Sequence, residues 1–421
     1  MSFQWHVNDP PPTIEEHSRA KLTVLRDYLR KYFNRLGSIP ARDEFRLDLV
    51  DGFAGGGTFQ DGDSIVPGTP LIMLEEFDDA QKRLNQGRNK PLHFNCKFHF
   101  VDVQPDHTEH LRKVLAERGY LGDDYKIDTH DRRFEDVADD IIADIRSRQP
   151  RAGRAIFLLD QCGFSRVSLD LVARILSMLP GAEVILTFAA DVLINFLNER
   201  PQFIQAVARL DLTESQIHEM IQLRNGDGGK ALVQRVLRNH IRNITGATYD
   251  TPFYLEPQKS RRELWFLHLS RHPTARDVMI QCHWDNSNTF KHYGPGGLDM
   301  LGWDALKTGN IPLFNFKRLD EEQMVEQLLD SMPLELDALA GDNPITVNAV
   351  RHILANRSAA RFSDLDRVIL RLAQEREFDI LTPELKERSR NLQRLNPTDL
   401  IAVPTTRQFS ILSRRRQETE S

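Results

Sequence analysis

Residues 49–62 read LVDGFAGGGTFQDG, an apolar run that ends at Asp51 and passes through Gly52 into the triplet Gly55-Gly56-Gly57. A strand buried in a parallel sheet reads as a short apolar run. One that stops in small residues lets backbone approach whatever lies beyond its end. Outward from this point, strand and helix patterns alternate. Upstream, residues 14–36 carry Leu22, Leu25, Leu29, Phe33 and Leu36 at helical spacing, with a Thr at the start and Gly37 as the stop. Downstream, the strand KFHFVDV (97–103) precedes a helix opened by Pro105. A short strand at 125–130 precedes FEDVADDIIADIRSR, and RAIFLLD (154–160) precedes a helix from Ser168 to Leu179. AEVILTFA (182–189) follows. Strands alternating with helices of this length predict βαβ units and an α/β fold with a mostly parallel sheet.

After Asp191 the alternation stops. Residues 200–245 read as helical throughout, split by the loop RNGDGGK (224–230). Two neighbouring strands, PFYLEP and ELWFLHLSR, then predict an antiparallel edge before the helix TARDVMIQCHWDN. From Pro344 the pattern is two short helices and a β-like end, the outline of a winged helix-turn-helix. Ser363 is the N-cap candidate of its second helix, with Asp364 and Asp366 in the first turn. The expected division is an N-terminal helical segment (1–40), an α/β domain (41–290) with a helical insert (200–245), a linker and helical segment (291–343), a winged-helix-like domain (344–410) and a frayed tail (411–421).

The totals agree with such a chain. Its 421 residues exceed one ordinary core, and 40% hydrophobic with 28% charged residues is ordinary for a globular protein. No apolar run approaches the roughly 18 residues of a membrane span, and AEVILTFAADVLINFL is broken by Asp191. With no basic-then-apolar leader at the start, a cytoplasmic location is expected. Cys96, Cys162 and Cys282 lie far apart, which predicts neither a disulfide framework nor a zinc site; Cys96 and Cys282 read as buried thiols. Net charge is −6, yet from Pro344 onward 14 basic residues face 10 acidic ones, leaving the rest at −10. A mildly basic tail permits a nucleic-acid contact without demanding one.

In an open α/β sheet ligands bind beyond the carboxyl ends of the strands. The first strand end supplies Asp51, Gly52, Phe53, Ala54, Gly55 and Gly57, and the second supplies Asp102 and Val103. A carboxylate at the second position suits ribose hydroxyls. The third brings His130, Asp131 and Arg132 toward a purine edge, and the fourth brings Asp160, Gln161 and Cys162 toward a reacting group. One glycine cluster is often only a turn; four such strand ends in series are a stronger signal. The glycines do not open a helix, since the next helix starts near Thr69, which is poor geometry for a pyrophosphate. No GKS or GKT is present, which argues against a P-loop. His17 and Lys21, one turn apart, border the expected cleft, whereas His218 and His240 read as surface or core residues.

Taken together, HSRAKLTVLRDYL, LVDGFAGGGTFQDG with PGTPL, FHFVDV, LLDQCGFSRVSLDLVARIL and LWFLHLSRHPTA resemble the three-Cys-motif partner protein (TcmP) family over roughly residues 15–285. The resemblance implies a Rossmann-like class I methyltransferase fold with a seven-stranded sheet, and S-adenosyl-L-methionine as cofactor. It implies cofactor contacts from Asp51, Gly55, Gly57 and Asp102 and an orienting or proton-accepting role for Asp160. It also implies a radical-SAM-like companion protein bearing the three cysteines of the family name. Two positions depart from the family pattern: Asp160-Gln161-Cys162-Gly163-Phe164 stands where Asp-Pro-Phe-Gly or Asp-Pro-Tyr-Gly is common, and Gly56 stands where proline is usual. Three readings follow. They are a methyltransferase, a variant with Cys162 as nucleophile, and a non-catalytic partner that keeps the scaffold and binds nucleic acid or its companion. In the last, Arg357, Arg361, Arg367 and Arg371 of the C-terminal domain are the contact residues.

Overall fold

The structure, a computed structural model, describes residues 3–39, 42–161, 166–226, 229–255, 264–286, 290–293, 313–314, 317–341, 343–389 and 391–404. They fall into two compact units, one within Met1–Tyr293 and Asp304–Lys317, the other within Gly294–Trp303 and Arg318–Ser421. No helix among the described residues is long and apolar enough to cross a membrane.

The strands of the first unit are β1 (Glu44–Asp51), β2 (Thr58–Asp61), β3 (Ser64–Pro67), β4 (His93–Asp102), β5 (Lys126–Asp131), β6 (Ala155–Leu159), β7 (Ala182–Phe188), β8 (Tyr249–Leu255), β9 (Leu264–Ser270), β10 (Phe290–Tyr293) and β11 (Leu313–Phe314). The main sheet has the order β11-β10-β8-β9-β7-β6-β1-β4-β5. Strands β5, β4, β1, β6 and β7 run parallel, and β9 is antiparallel to both β7 and β8. The seven strands from β8 to β5 form a mostly parallel, Rossmann-like sheet, with the late hairpin as its antiparallel part. Strands β10 and β11 extend that sheet to nine, which the sequence did not predict. Runs of four and two residues are too short to show a period.

Helices cover both faces. They are α1 (Glu16–Gly37), α2 (Thr69–Asn85), α3 (Pro105–Glu117), α4 (Phe134–Arg148), α5 (Leu169–Met178), α6 (Ala190–Phe196), α7 (Pro201–Val207), α8 (Glu214–Asn225), α9 (Gly229–Thr245) and α10 (Pro273–Asp285). Alternation along β1 and β4 assigns the faces. Phe33 of α1 meets Phe45, and Phe77 of α2 meets Phe98, whereas Val50 and Val101 join the core formed with α4 and α5. Val24, Leu25, Tyr28, Leu29 and Phe33 of α1 are buried, each contributing roughly 1.5–3 kcal/mol for a large side chain. Tyr28 also hydrogen-bonds through its hydroxyl to Glu183 of β7, which fixes the helix on the sheet. The helix starts at Glu16 rather than at 14. The segment before it pairs with β2 instead, where Ile14 N–H donates to the Gln60 carbonyl at 2.8 Å and Gln60 N–H to the Pro12 carbonyl at 2.9 Å. In the helical insert, α7, α8 and α9 account for the pattern at 200–245. His240 donates to the Leu210 carbonyl at 2.6 Å, and His218 sits exposed beside Glu199. Cys96 and Cys282 are buried free thiols.

The face beneath α4 is unexpectedly polar. Asp48 of β1, Lys97 and His99 of β4 and Asp144 and Arg148 of α4 form one cluster, in which Arg148 pairs with Asp48 and Lys97 lies 3.1 Å from Asp144. Burial first, and then the Lys97 charge, pushes the His99 imidazole down to about 4, so it is neutral at pH 7. An unfolded histidine titrates near 6.5, so below that pH the unfolded chain takes up a proton that the folded one refuses. Stability is therefore expected to fall between pH 6.5 and 4, by about 3 kcal/mol from this group. Denaturant melts of wild type and His99→Gln at pH 7 and pH 4.5 check this. An equal acid loss in both proteins would contradict it.

In the second unit α11 (Arg318–Ala340) precedes β12 (Ile345–Thr346), α12 (Val347–Leu354), α13 (Phe362–Gln374), β13 (Asp379–Leu381) and β14 (Leu400–Ala402). The three strands form an antiparallel sheet of order β12-β14-β13. The N-cap of α13 is Arg361, not Ser363. Asp364 accepts from the Arg361 backbone N–H at 2.9 Å, a closure that moves the helix start two residues earlier. Three of the arginines expected to face a partner are spent within this unit. Arg357 pairs with Glu335 at 2.7 Å, Arg361 with Glu321 and Asp364, and Arg371 with Glu326 and Glu375. Arg367 is exposed.

Candidate functional site

The parallel register brings the ends of β1, β4, β5 and β6 to one edge. Asp51 aligns with Phe100 and Leu158, and Asp102 with Asp131. The glycine turn begins there, and the amides of its first four residues are already committed. Gly52 N–H donates to the Leu158 carbonyl at 2.9 Å, Phe53 N–H to Asp51 Oδ1 at 3.0 Å, Ala54 N–H to the Val101 carbonyl at 2.9 Å and Gly55 N–H to Asp102 Oδ2 at 3.0 Å. Gly55 and Gly57 adopt φ of 58° and 82°, which only glycine takes without strain. The hairpin β2–β3 then intervenes before α2, whose N-cap residue Gly68 returns to the turn and donates its N–H to the Gly57 carbonyl at 2.7 Å. The four bonded amides are not free to cradle a phosphate.

Asp51 is the most buried member, 1% exposed, and its Oδ2 makes no hydrogen bond with any described residue. Burial pushes it up to about 8. The Phe53 amide opposes that shift, and Asp160 and Asp102 add to it. Asp102, Asp160 and Lys21 are thus near enough to act on Asp51 through their charge. Asp102 accepts from the Gln104 amide at 2.9 Å and from His107 Nδ1 at 3.1 Å as well as from Gly55. A carboxylate has about four acceptor positions, so one remains. Asp160 is gripped by Lys21 of α1, whose Nζ lies 2.6 Å from both oxygens, and His17 sits a turn away with its pKa lowered by burial and by Lys21.

The other predicted residues divide. Gly52, Ala54 and Gly57 are buried in the turn, and Phe53 packs on the core beside it. Gln161 is 2% exposed, and its Oε1 accepts from the Arg166 and Val167 amides at 2.8 and 3.0 Å. It thus braces its own loop, leaving Nε2 buried without a hydrogen bond among the described residues. Val103 is 45% exposed and Arg132 is exposed. Asp131 points to Arg112 at 2.8 Å; burial raises its pKa, but hydrogen bonds from Thr108 and Arg112 outweigh that and hold it low. Cys162 lies outside the described residues, and with it the nucleophile variant.

Three residues that the sequence did not single out complete the site. Trp5 is 6% exposed and donates from Nε1 to the Thr58 carbonyl at 2.7 Å. Its ring lies against Phe59 and His107, and a Cβ added at Gly55 or Gly56 would meet it at 2.7 or 2.3 Å. The smallness of those two glycines thus serves the indole on that side. His107 and His110, three apart on α3, reach Asp102 and the Gly56 carbonyl, the latter at 2.8 Å. That spacing on one helix face was the available signal.

No family model and no curated protein matches the chain. Among solved structures it is similar to WbdD at 14% identity and a TM-score of 0.31, over 60% of this chain and 40% of that one. It is also similar to the plantazolicin methyltransferase BamL, solved with SAH and a substrate analogue (12%, TM-score 0.23, 61% and 88%), and to PKMT2 from Rickettsia typhi (12%, TM-score 0.26, 85% and 72%). The chain therefore spans about two fifths of the length of WbdD. Likenesses at these TM-scores bear on neither site nor activity.

Proposed function

We propose that the first unit binds S-adenosyl-L-methionine at the ends of β1, β4 and β6 and transfers its methyl group, as the resemblance to the three-Cys-motif partner family implies. The observation that carries this reading is the placing of Asp51, Asp102 and Asp160 beyond neighbouring strand ends, around a turn whose first four amides are already bonded. Carboxyl groups so placed suit a ligand with a cationic ammonium and sulfonium, toward which Asp51, protonated at pH 7, gives up its proton. The orphaned, buried Oδ2 of Asp51 fits such a cation too. The cofactor supplies an activated methyl group on sulfur. Asp102 then holds a ribose hydroxyl with its remaining acceptor position, Asp51 meets the positive end, and Asp160, held still by Lys21, orients the acceptor or shares its proton. Calorimetric titration with S-adenosyl-L-methionine tests this. Wild type is expected to bind, and Asp102→Ala, which also frees the Gly55 amide, to bind at least 100-fold more weakly. Wild type without binding, or equal binding by the variant, removes the reading.

A second reading, a partner protein that keeps the scaffold without the transfer, is favoured by Gln161. Its carbonyl is used up on its own loop, and both Asp160 oxygens are held by Lys21. Its partners would be a radical-SAM-like companion or a nucleic acid at the winged-helix-like second unit. The arginine–carboxylate pairing in that unit leaves Arg367 as the cation best placed for phosphate.

A further inference from the structure

The polar cluster beneath α4 holds a second constellation, which shares with the strand-end residues only His130, the neighbour of Asp131. Register pairs His99 of β4 with Asp128 of β5 and Val101 with His130, so His99, Asp128 and His130 share one face of neighbouring strands. One donor atom from each lies within 4.8 Å of the other two. His99 is 1% exposed, and neither ring nitrogen makes a hydrogen bond with any described residue. His130 Nε2 is likewise buried and unbonded. An imidazole excluded from water with both nitrogens idle gives up the contacts that normally offset its burial.

The positions of the carboxylates give the two nitrogens different tasks. His99 Nε2 lies 3.5 Å from Asp48 Oδ1 and 3.6 Å from Asp144 Oδ2, while Nδ1 faces Asp128 Oδ2 at 3.8 Å. Asp48 is itself fixed, accepting from Gln149 at 2.7 Å and pairing with Arg148. This is the arrangement of a ligating histidine, in which one nitrogen is turned to the metal and the other N–H to a held carboxylate that sets tautomer and ring orientation.

We infer that His99, Asp128 and His130 form a binding site for a divalent transition cation, with Asp48 and Asp144 as the carboxylates that orient His99. Two imidazoles and a carboxylate select Zn²⁺ over Mg²⁺ or Ca²⁺, which prefer oxygen alone. Donors around tetrahedral zinc stand roughly 3.4 Å apart, so the three must close by about 1 Å, which side-chain rotation supplies. The Lys97 ammonium, 2.7 Å from Asp128 Oδ2 and 3.1 Å from Asp144 Oδ2, is the built-in competitor. It retreats onto Asp144 when the metal takes Asp128.

Zn²⁺ titration of the metal-stripped full chain, with Co²⁺ absorption as a reporter of tetrahedral nitrogen and oxygen ligands, tests the inference. One equivalent is expected to bind to wild type. Affinity is expected to fall at least tenfold in His99→Ala and in His130→Gln and to rise in Lys97→Met, where the competing charge is gone. His130 is only half-buried, so its substitution keeps the test meaningful if His99→Ala fails to fold. No stoichiometric binding by wild type, or binding unchanged in a folded His130→Gln protein, overturns it. Metal binding is read without S-adenosyl-L-methionine, and His99→Ala and Lys97→Met leave every strand-end residue intact, so failure here and failure of the cofactor reading are distinguishable.

Discussion

Asp51→Asn is expected to raise the unfolding midpoint at pH 7 while weakening the binding of a cationic cofactor. Asp51 titrates at about 8 in the folded protein, chiefly because of burial, against an ordinary value of 3.8. A group whose folded pKa is raised contributes stability that is fully present below the unfolded pKa and lost as pH rises through the folded one. At pH 7 wild type must hold a proton that the unfolded chain has released, at about 4 kcal/mol. Asparagine avoids that cost and still accepts from the Phe53 amide, but its NH2 meets no partner at the orphaned Oδ2 position, which costs about 2 kcal/mol. The net gain is about 2 kcal/mol, or on the order of 5 °C for a unit of this size. It is expected to vanish at roughly pH 5, to reverse below that, and to be largest above pH 8. Thermal melts across that range check it, and an unchanged midpoint at pH 8 would contradict it. The same carboxyl makes cofactor binding proton-linked. If the ligand's ammonium ionises Asp51, about 0.9 proton leaves per molecule bound at pH 7, and the heat of binding varies with the buffer.

Gly56→Ala is expected to break the fit between the glycine turn and the indole. The new Cβ lies 2.3 Å from Trp5 Cγ and Cδ1, closer than any real contact, and the ring has no free side to retreat to, with Phe59 and His107 against it. Overpacking of this kind costs about 1–3 kcal/mol, and removing the ring outright in Trp5→Ala about 3–5 kcal/mol. The two losses share one contact. Gly56→Ala/Trp5→Ala is therefore expected to be no less stable than Trp5→Ala alone, a coupling that a double-mutant cycle by denaturant melts reads directly. Additive losses would mean that the glycine is needed for some reason other than the indole.

The parts of this molecule that were legible in sequence are those whose signal is local. The parallel strands showed as apolar runs, and their alternation with α3, α4 and α5 fixed the sheet type. Asp51, Asp102 and Asp160 were found because strand ends are where such sheets bind ligands. What was hidden is the product of folding over long separations. Trp5 reaches Thr58, Lys21 reaches Asp160, and no period in the chain announces either contact. The polar layer did leave a trace, since Lys97 and His99 alternate with phenylalanines in a strand that should be apolar on both faces. That alternation marks a chemistry-bearing face only once α4 is known to bring Asp144 above it. The Gly62-Asp63 turn likewise signals the β2–β3 hairpin, yet nothing local shows that β2 also pairs with residues 12–14.

Strand β5 closes one margin of the main sheet, and its composition has a consequence for self-association. Among the described residues no strand pairs with its outer side, so its backbone groups form a ready template for another chain's strand. Five of its six residues are Lys126, Asp128, Thr129, His130 and Asp131, and a second strand laid alongside would have to strip water from that row. The margin is thereby guarded against edge-to-edge growth by the same Asp128 and His130 that give it a ligand set, so concentrated solutions should stay free of sheet-extended assemblies for as long as those side chains keep their polarity.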